Sequence, residues 1–289
     1  MARVCVVGSV NMDLTFDVNA LPRPGETVLA SSLSYAPGGK GGNQAVAAAR
    51  AGASVQFVGA LGDDPAAEQL RAHLSVNGVG LDGTIAIPGP SGTAIIVVDA
   101  DAENTIVVAP GANGRLTLDA AARSVITGCE VLLTQLEIPV PTAVAAARAA
   151  RSAGAVVMVN ASPAGQDQSM LAELASMADV VIANEAEADE WPWRPTHLVT
   201  TLGARGATCV SADDEFWVPA PAVKAADTTG AGDVFAGVLA ASWQRNPGAR
   251  AERLRALQRA CTAAALSTQV PGAGDCAPDA SAIEAALRS

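Results

Sequence analysis

The run Asp227-Thr228-Thr229-Gly230-Ala231-Gly232-Asp233 joins two glycines to a carboxylate, immediately before the apolar stretch 234–239. Two glycines in three residues let the backbone turn tightly. A helix starting there aims unpaired N–H groups and the positive end of its dipole back at the loop. That arrangement suits an anion, phosphate above all. Electrostatics alone would not put Asp233 beside a phosphate. A carboxylate there makes sense as a general base that takes a proton from a group attacking the phosphate. In isolation the same residue is equally an ordinary helix N-cap.

A second glycine cluster, Pro37-Gly38-Gly39-Lys40-Gly41-Gly42-Asn43-Gln44, precedes a helix predicted over 45–51. Its glycines allow a ligand close to the backbone, and Lys40 and Asn43 are the side chains able to touch it. Lys40 and Lys224 are the only lysines, which makes one inside a glycine cluster informative. Asn11 and Asp13 lie two apart, so in extended chain they point to one side and can grip vicinal hydroxyls. A simple turn explains the same pair.

Composition narrows the chemistry. A net charge of −11 over 289 residues disfavours nucleic acid and anionic membranes as partners. It leaves room for a small anionic substrate held by backbone dipoles and a lysine. Two histidines, His73 and His197, do not make a zinc site. Five cysteines without a C-x-x-C pair indicate reduced, buried thiols and a cytoplasmic location. No stretch has the length and polarity of a signal peptide or a membrane span.

The elements that must position these residues follow from the apolar pattern. Continuous runs at 4–8, 55–61, 131–136, 156–160, 180–183 and 197–202 predict strands buried on both faces. Helices are predicted over 66–77, 142–153, 171–177, 234–244, 251–268 and 280–288. This alternation implies a parallel sheet covered on both faces, with ligands at the carboxyl ends of its strands. Asn11, Asp13, Glu137, Asn184 and Gly203 all fall just past such ends. Strands at 14–20 with 29–35, and 93–98 with 104–108, break the alternation and predict a small protruding sheet. A further hairpin is expected at 208–210 and 215–218. The main α/β domain is expected to comprise 1–10, 39–90 and 109–289, and the small sheet 11–38 and 91–108.

Two phosphate motifs are absent. There is no G-x-x-x-x-G-K-[ST], and neither Gly8 nor Gly230 begins a G-x-G-x-x-G. A P-loop enzyme and a nicotinamide dehydrogenase are therefore disfavoured. The cluster 38–45, together with Val58-Gly59-Ala60-Leu61-Gly62-Asp63-Asp64 and the run 227–233, resembles the two signatures of the ribokinase-like (PfkB) family of sugar kinases. Gly8-Ser9-Val10-Asn11-Met12-Asp13, Pro24-Gly25-Glu26-Thr27 and Ala109-Pro110-Gly111-Ala112-Asn113 look like its ribose-phosphorylating members. So do Leu133-Thr134-Gln135-Leu136-Glu137, Asn184-Glu185-Ala186-Glu187 and Thr201-Leu202-Gly203-Ala204-Arg205-Gly206. The resemblance spans essentially the whole chain.

It implies a ribokinase-like three-layer α/β/α sandwich with a mainly parallel central sheet and a β-sheet lid. It implies ATP-dependent phosphorylation of the primary (5-) hydroxyl of ribose. Asp233 would be the base, and the backbone of Gly230, Ala231 and Gly232 the anion hole. Asn11, Met12, Asp13, Gly39, Lys40, Gly41, Asn43 and Glu137 would bind the sugar. Asn184, Thr201, Leu202, Gly203, Ala204, Arg205, Gly206 and Gly232 would bind ATP. Glu187 would hold Mg²⁺ through water. Asp227, Thr229, Ser267, Val270, Gly272 and Cys276 would surround a monovalent cation, K⁺, with the Cys276 thiol where a hydroxyl is usual. The lid would also pair two subunits into a homodimer. The connection 188–196 is short for a crossover and Pro-rich, so the family's usual helix is expected to be missing there. Two rivals are a kinase of the same fold for deoxyribose, a ketose or a nucleoside, and a non-catalytic sugar or nucleotide sensor.

Overall fold

In the computed structural model, residues 2–101, 103–243 and 250–288 are described. In chain order the strands are β1 (Arg3–Val7), β2 (Asn11–Asp17), β3 (Ser32–Gly38), β4 (Ser54–Val58), β5 (Ala60–Leu61), β6 (Val79–Gly80), β7 (Ile85–Ala86), β8 (Gly92–Val98), β9 (Asn104–Ala109), β10 (Val131–Thr134), β11 (Val156–Asn160), β12 (Val180–Asn184), β13 (His197–Thr201), β14 (Ala207–Ser211) and β15 (Glu215–Val218). The helices are α1 (Lys40–Arg50), α2 (Pro65–Val76), α3 (Ala120–Thr127), α4 (Val140–Ser152), α5 (Gln168–Met177), α6 (Glu185–Glu190), α7 (Ala231–Ser242), α8 (Arg250–Ser267) and α9 (Ala280–Ala286).

Among the described residues the large sheet runs β15-β14-β13-β12-β11-β10-β1-β4-β6. It is parallel from β13 to β6, and β14 and β15 extend one edge antiparallel. Alternate residues of each strand serve different cores, as a period of two requires. Val4 and Val6 of β1 join the core under α1, α2, α7 and α8. Cys5 and Val7 join the core under α3, α4 and α5. Both faces are thus apolar and covered, which is why the strands read as unbroken apolar runs. The strand order reverses at β1, between β10 and β4, and this opens a crevice past the carboxyl ends of β1 and β10.

A separate four-stranded sheet, β3-β2-β8-β9, springs from the end of β1. Here β2 and β8 are parallel neighbours, each extended by its own antiparallel partner. The side chains of Leu33, Tyr35, Ile95, Ile106, Val107 and Val108 on it are exposed.

Several expectations are corrected. Helix α1 starts at Lys40, not at 45, so Gly41, Gly42 and Asn43 form its first turn. The reason is packing. A Cβ on Gly41 would lie 2.7 Å from the Ser9 carbonyl oxygen, and one on Gly39 (φ +85°) 2.7 Å from the Asn11 nitrogen. These glycines let α1 press its N-terminus onto the β1–β2 connection. The first strand of the small sheet begins at Asn11 rather than 14, which makes the extended arrangement of Asn11 and Asp13 the observed one. The Asn184 connection keeps a helix, the six-residue α6, closed by a reciprocal cap between Asn184 and Glu187. Residues 191–196 that follow are irregular. Trp191 is buried in the core and meets Trp193 edge-on at 5.1 Å between ring centroids. The predicted end of α7 at residue 244 lies outside the described residues. All five cysteines are free and buried. Among the described residues no helix is long and apolar enough to cross a membrane.

Candidate active site

Helices α1 and α7 point their N-termini at the same crevice. Each begins at a glycine of positive φ, Gly39 (85°) and Gly230 (77°), and neither has a side-chain cap. First-turn N–H groups lack intrahelical acceptors. In α1 the Gly42 N–H bonds the Ser9 carbonyl at 2.9 Å, and the Lys40 N–H bonds Glu137 Oε2 at 3.3 Å. In α7 the Ala231 N–H lies 3.3 Å from the Thr228 carbonyl. The place of a Gly232 Cβ is open: apart from its own stretch of α7, no protein atom lies within 4 Å.

Asp233, in the first turn of α7, is buried (9 % exposed). Its Oδ2 accepts from Asn43 Nδ2 at 3.2 Å and its Oδ1 from Gln44 Nε2 at 2.9 Å, both on α1. The helices meet this closely because Gly237 of α7 lies on the Gln44 carbonyl, where a Cβ would come within 2.3 Å. Burial pushes the Asp233 carboxyl above the ordinary carboxylate range. Lys40 and the Gln44 and Asn43 donors pull it back, and Glu137 adds to the rise.

Asp13 and Glu137 complete an acidic cluster around one lysine. Burial, then Glu137 and Asp233, raise Asp13 to about 7. Its Oδ1 is buried without a hydrogen-bond partner. Glu137 Oε2 accepts from Ser9 Oγ. Burial alone would lower the Lys40 ammonium, but Asp233, Glu137 and Glu187 together hold its pKa above the usual value. Asn11 is buried, and its Oδ1 accepts from Asn113 Nδ2 at 2.8 Å. Asn113 also binds the Val10 backbone through both N–H and C=O, fixing the root of the small sheet. With Oδ1 occupied, Asn11 offers its amide as a donor beside the acceptor Asp13. A pocket of about 380 Å³ opens next to Asn11 and Glu137, walled by Val108, Pro110, Leu136 and Ile138. Of the expected sugar residues, Met12 points into the core instead.

A cavity of about 840 Å³ lies on the other side of the α7 N-terminus. Asn184, Thr201, Gly203, Ala204, Gly206 and Gly232, six of the residues expected at ATP, line it. Leu202 and Arg205 do not. The Leu202 N–H bonds the Gly206 carbonyl, and Arg205 turns out to pair with Glu185 at 2.6 Å while its carbonyl accepts from Trp217. The apolar walls, Ala220 to Val223, Phe235, Ala264 and Ala265, escaped the sequence because small aliphatic side chains carry no chemical signature. Glu187 Oε2 accepts from the Asn184 N–H at 2.9 Å.

Asp227 ties two loops together. Its Oδ1 accepts from the Thr229 N–H and its Oδ2 from the Gly272 N–H, each at 2.8 Å. Burial would raise this carboxyl, but these bonds leave it below the ordinary value. Ser267 Oγ donates to the Ala264 carbonyl, and the Cys276 thiol to that of Ala273 at 3.3 Å. Asp227 and backbone carbonyls suit a hard cation, whereas the Cys276 sulfur does not. Among the described residues no group of three or more His, Cys, Asp or Glu could hold a metal.

A model of the pfkB family carbohydrate kinases matches residues 1–280. The ribokinase of Bacillus subtilis is 35 % identical over 300 residues, covering 99 % of this chain and all of that one. The bifunctional ribokinase/ribose-5-phosphate isomerase A of Fructilactobacillus sanfranciscensis is 33 % identical over 98 % of this chain, which spans 56 % of that protein's length. The deoxyribokinase of Salmonella typhi is 32 % identical over 82 % of this chain and 84 % of its own. The structure of Arabidopsis thaliana ribokinase complexed with ribose and ATP superposes with a TM-score of 0.88 at 27 % identity, covering 100 % and 99 % of the two chains.

Proposed function

As the chain belongs to the pfkB family of carbohydrate kinases, we propose that it transfers the γ-phosphoryl group of ATP to the 5-hydroxyl of D-ribose, giving ribose 5-phosphate and ADP. One observation carries this. A single turn of α7 puts Gly232 on the large cavity and the Asp233 carboxylate in the buried cluster with Lys40, Asp13 and Glu137. Phosphoryl donor and acceptor can therefore meet across that turn.

In this scheme Asp233 takes the hydroxyl proton, and the N–H groups of Gly230, Ala231 and Gly232 steady the charge on the phosphoryl group. Lys40 offsets that charge from the sugar side. Asp13 and Asn11 present an acceptor and a donor to adjacent hydroxyls, and the orphaned Asp13 Oδ1 gains a partner when sugar binds. Glu137 and Asn43, with the backbone at Gly39 and Gly41, complete the sugar site. The nucleotide occupies the large cavity against Asn184, Thr201, Gly203, Ala204 and Gly206. Glu187 would hold a Mg²⁺ ion through water, and such an ion would supply positive charge to offset that of the phosphates. A monovalent cation fits the oxygen donors at 227–229 and 267–272, without Cys276 as a ligand. The small sheet, 11–38 and 91–108, acts as a lid that keeps water from the phosphoryl group. Its exposed Leu33, Tyr35, Ile95 and Val107 pair with a second copy of the chain.

ADP release coupled to NADH oxidation, over a panel of pentoses, hexoses and nucleosides, tests the assignment. Ribose should give the highest kcat/KM. A higher value with 2-deoxyribose would transfer the activity to that sugar, and turnover with none of the panel would overturn a kinase role. Asp233→Asn should lose at least about a thousandfold in kcat and keep ribose affinity within a few-fold. Sedimentation of wild type against Tyr35→Asp tests the homodimer; a monomeric wild type overturns it.

A further inference from the structure

Three buried amides outside the expected site lead to Asp233. Asn160, at the end of β11, donates from Nδ2 to the Ile182 carbonyl at 3.1 Å. A backbone carbonyl only accepts, so Asn160 must turn its own Oδ1 the other way. That oxygen accepts from Gln44 Nε2 at 3.0 Å. The same Nε2 donates to Asp233 Oδ1 at 2.9 Å. Gln44 Oε1 then accepts from Gln135 Nε2 at 2.6 Å. Gln44 and Gln135 are fully buried and Asn160 is 8 % exposed. Gln135 Oε1 is buried beside Gly8 without a hydrogen-bond partner, so it is the bond from Nε2 to Gln44 that orients this amide. Every amide in the series has one permitted orientation, set at its far end by the carbonyl of β12.

We propose that Gln44, held by Asn160 and Gln135, is a positioning residue for the phosphoryl transfer: it fixes Asp233 in the rotamer that faces the acceptor hydroxyl and presents it with an N–H only. A protonated Asp233 Oδ1 would meet a donor rather than an acceptor, so the series favours the carboxylate, the form a base needs. The proposal rests on Asp233 being the base. The titratable groups facing Asp233 are Lys40 on α1, Asp13 on β2, Glu137 after β10 and the Cys276 thiol, which burial keeps protonated, in the loop before α9. They are common to wild type and variants, so a difference between profiles isolates the amides.

The experiment is the pH profile of kcat/KM for ribose, in full-length wild type, Gln44→Met, Gln44→Glu and Gln135→Met, with Asp233→Asn as control. Loss of the donor in Gln44→Met should lower kcat at pH 7 by about tenfold to a hundredfold and leave KM for ribose and ATP within about threefold. The acid limb should move up by about one pH unit. Gln44→Glu keeps the shape and sets a second carboxylate against Asp233, so its limb should move further. Gln135→Met, which does not touch Asp233, should move it less, in the same direction. A purely structural role would lower the melting temperature or the active fraction and leave the limb in place. Coincident limbs in wild type and in the folded Gln44 variants, with Asp233→Asn inactive, would overturn the relay while sparing the base. Activity in Asp233→Asn would remove the base itself.

Discussion

Gly237→Ala is a single added methyl, one helical turn beyond Asp233 on α7, that should disable the site. The new Cβ would lie 2.3 Å from the Gln44 carbonyl oxygen and 2.9 Å from the Ala47 Cβ. The first obstacle is helix backbone and cannot rotate away. Relief to about 3.2 Å, near the limit of contact, requires α7 to retreat from α1 by about 0.9 Å. The same retreat stretches Gln44–Asp233 from 2.9 Å to about 3.8 Å, and Asn43–Asp233 from 3.2 Å to about 4.1 Å. Both then exceed hydrogen-bonding range. Overpacking costs about 1–3 kcal/mol, offset by about 1 kcal/mol from replacing a helical glycine. The net loss of about 1 kcal/mol corresponds to a fall in Tm of roughly 2–4 °C. Catalysis should suffer more. A base displaced by about 1 Å costs on the order of a hundredfold in rate. Coupled ADP release gives kcat, and scanning calorimetry gives Tm. Wild-type kcat together with an unchanged Tm would show that close approach of α1 and α7 does not place Asp233.

The remaining predictions separate the residues by what they touch. Asp13 is raised from 3.8 to about 7 in the folded chain, so its contribution to stability is full below about pH 4 and is lost as pH rises through 7. Asp13→Asn should therefore raise Tm at pH 8 and gain little at pH 5; equal gains at both would contradict the burial cost of the charge. Gly232→Val has open space at its Cβ on the large cavity, so KM for ATP should rise at least about tenfold with Tm nearly unchanged. Arg205→Ala breaks only an exposed pair with Glu185, so KM for ATP should stay within about twofold and stability within about 1 kcal/mol. A large rise in KM would place Arg205 on the nucleotide after all.

Much of this protein can be read directly from its amino-acid order. Strands buried on both faces must be apolar throughout, so β1, β10, β11 and β12 announce themselves and imply a covered parallel sheet. Polar residues placed just past strand ends then mark the crevice, and Asn11, Asp13, Glu137 and Asn184 are found this way. The glycine runs before α1 and α7 signal unusual backbone, because positive φ at Gly39 and Gly230 is costly for other residues.

Tertiary structure alone decided what those signals were for. Gly237 serves a helix contact, with the Gln44 carbonyl, and sequence has no means of distinguishing a glycine that admits a ligand from one that admits a backbone. Arg205 sits in a motif yet faces Glu185, a partner 20 positions away that no spacing rule announces. Gln44, Gln135 and Asn160 are scattered over 117 positions and carry no spacing rule. They become one device only when β11, β10 and α1 pack side by side and burial forces each amide to find its partner in another element.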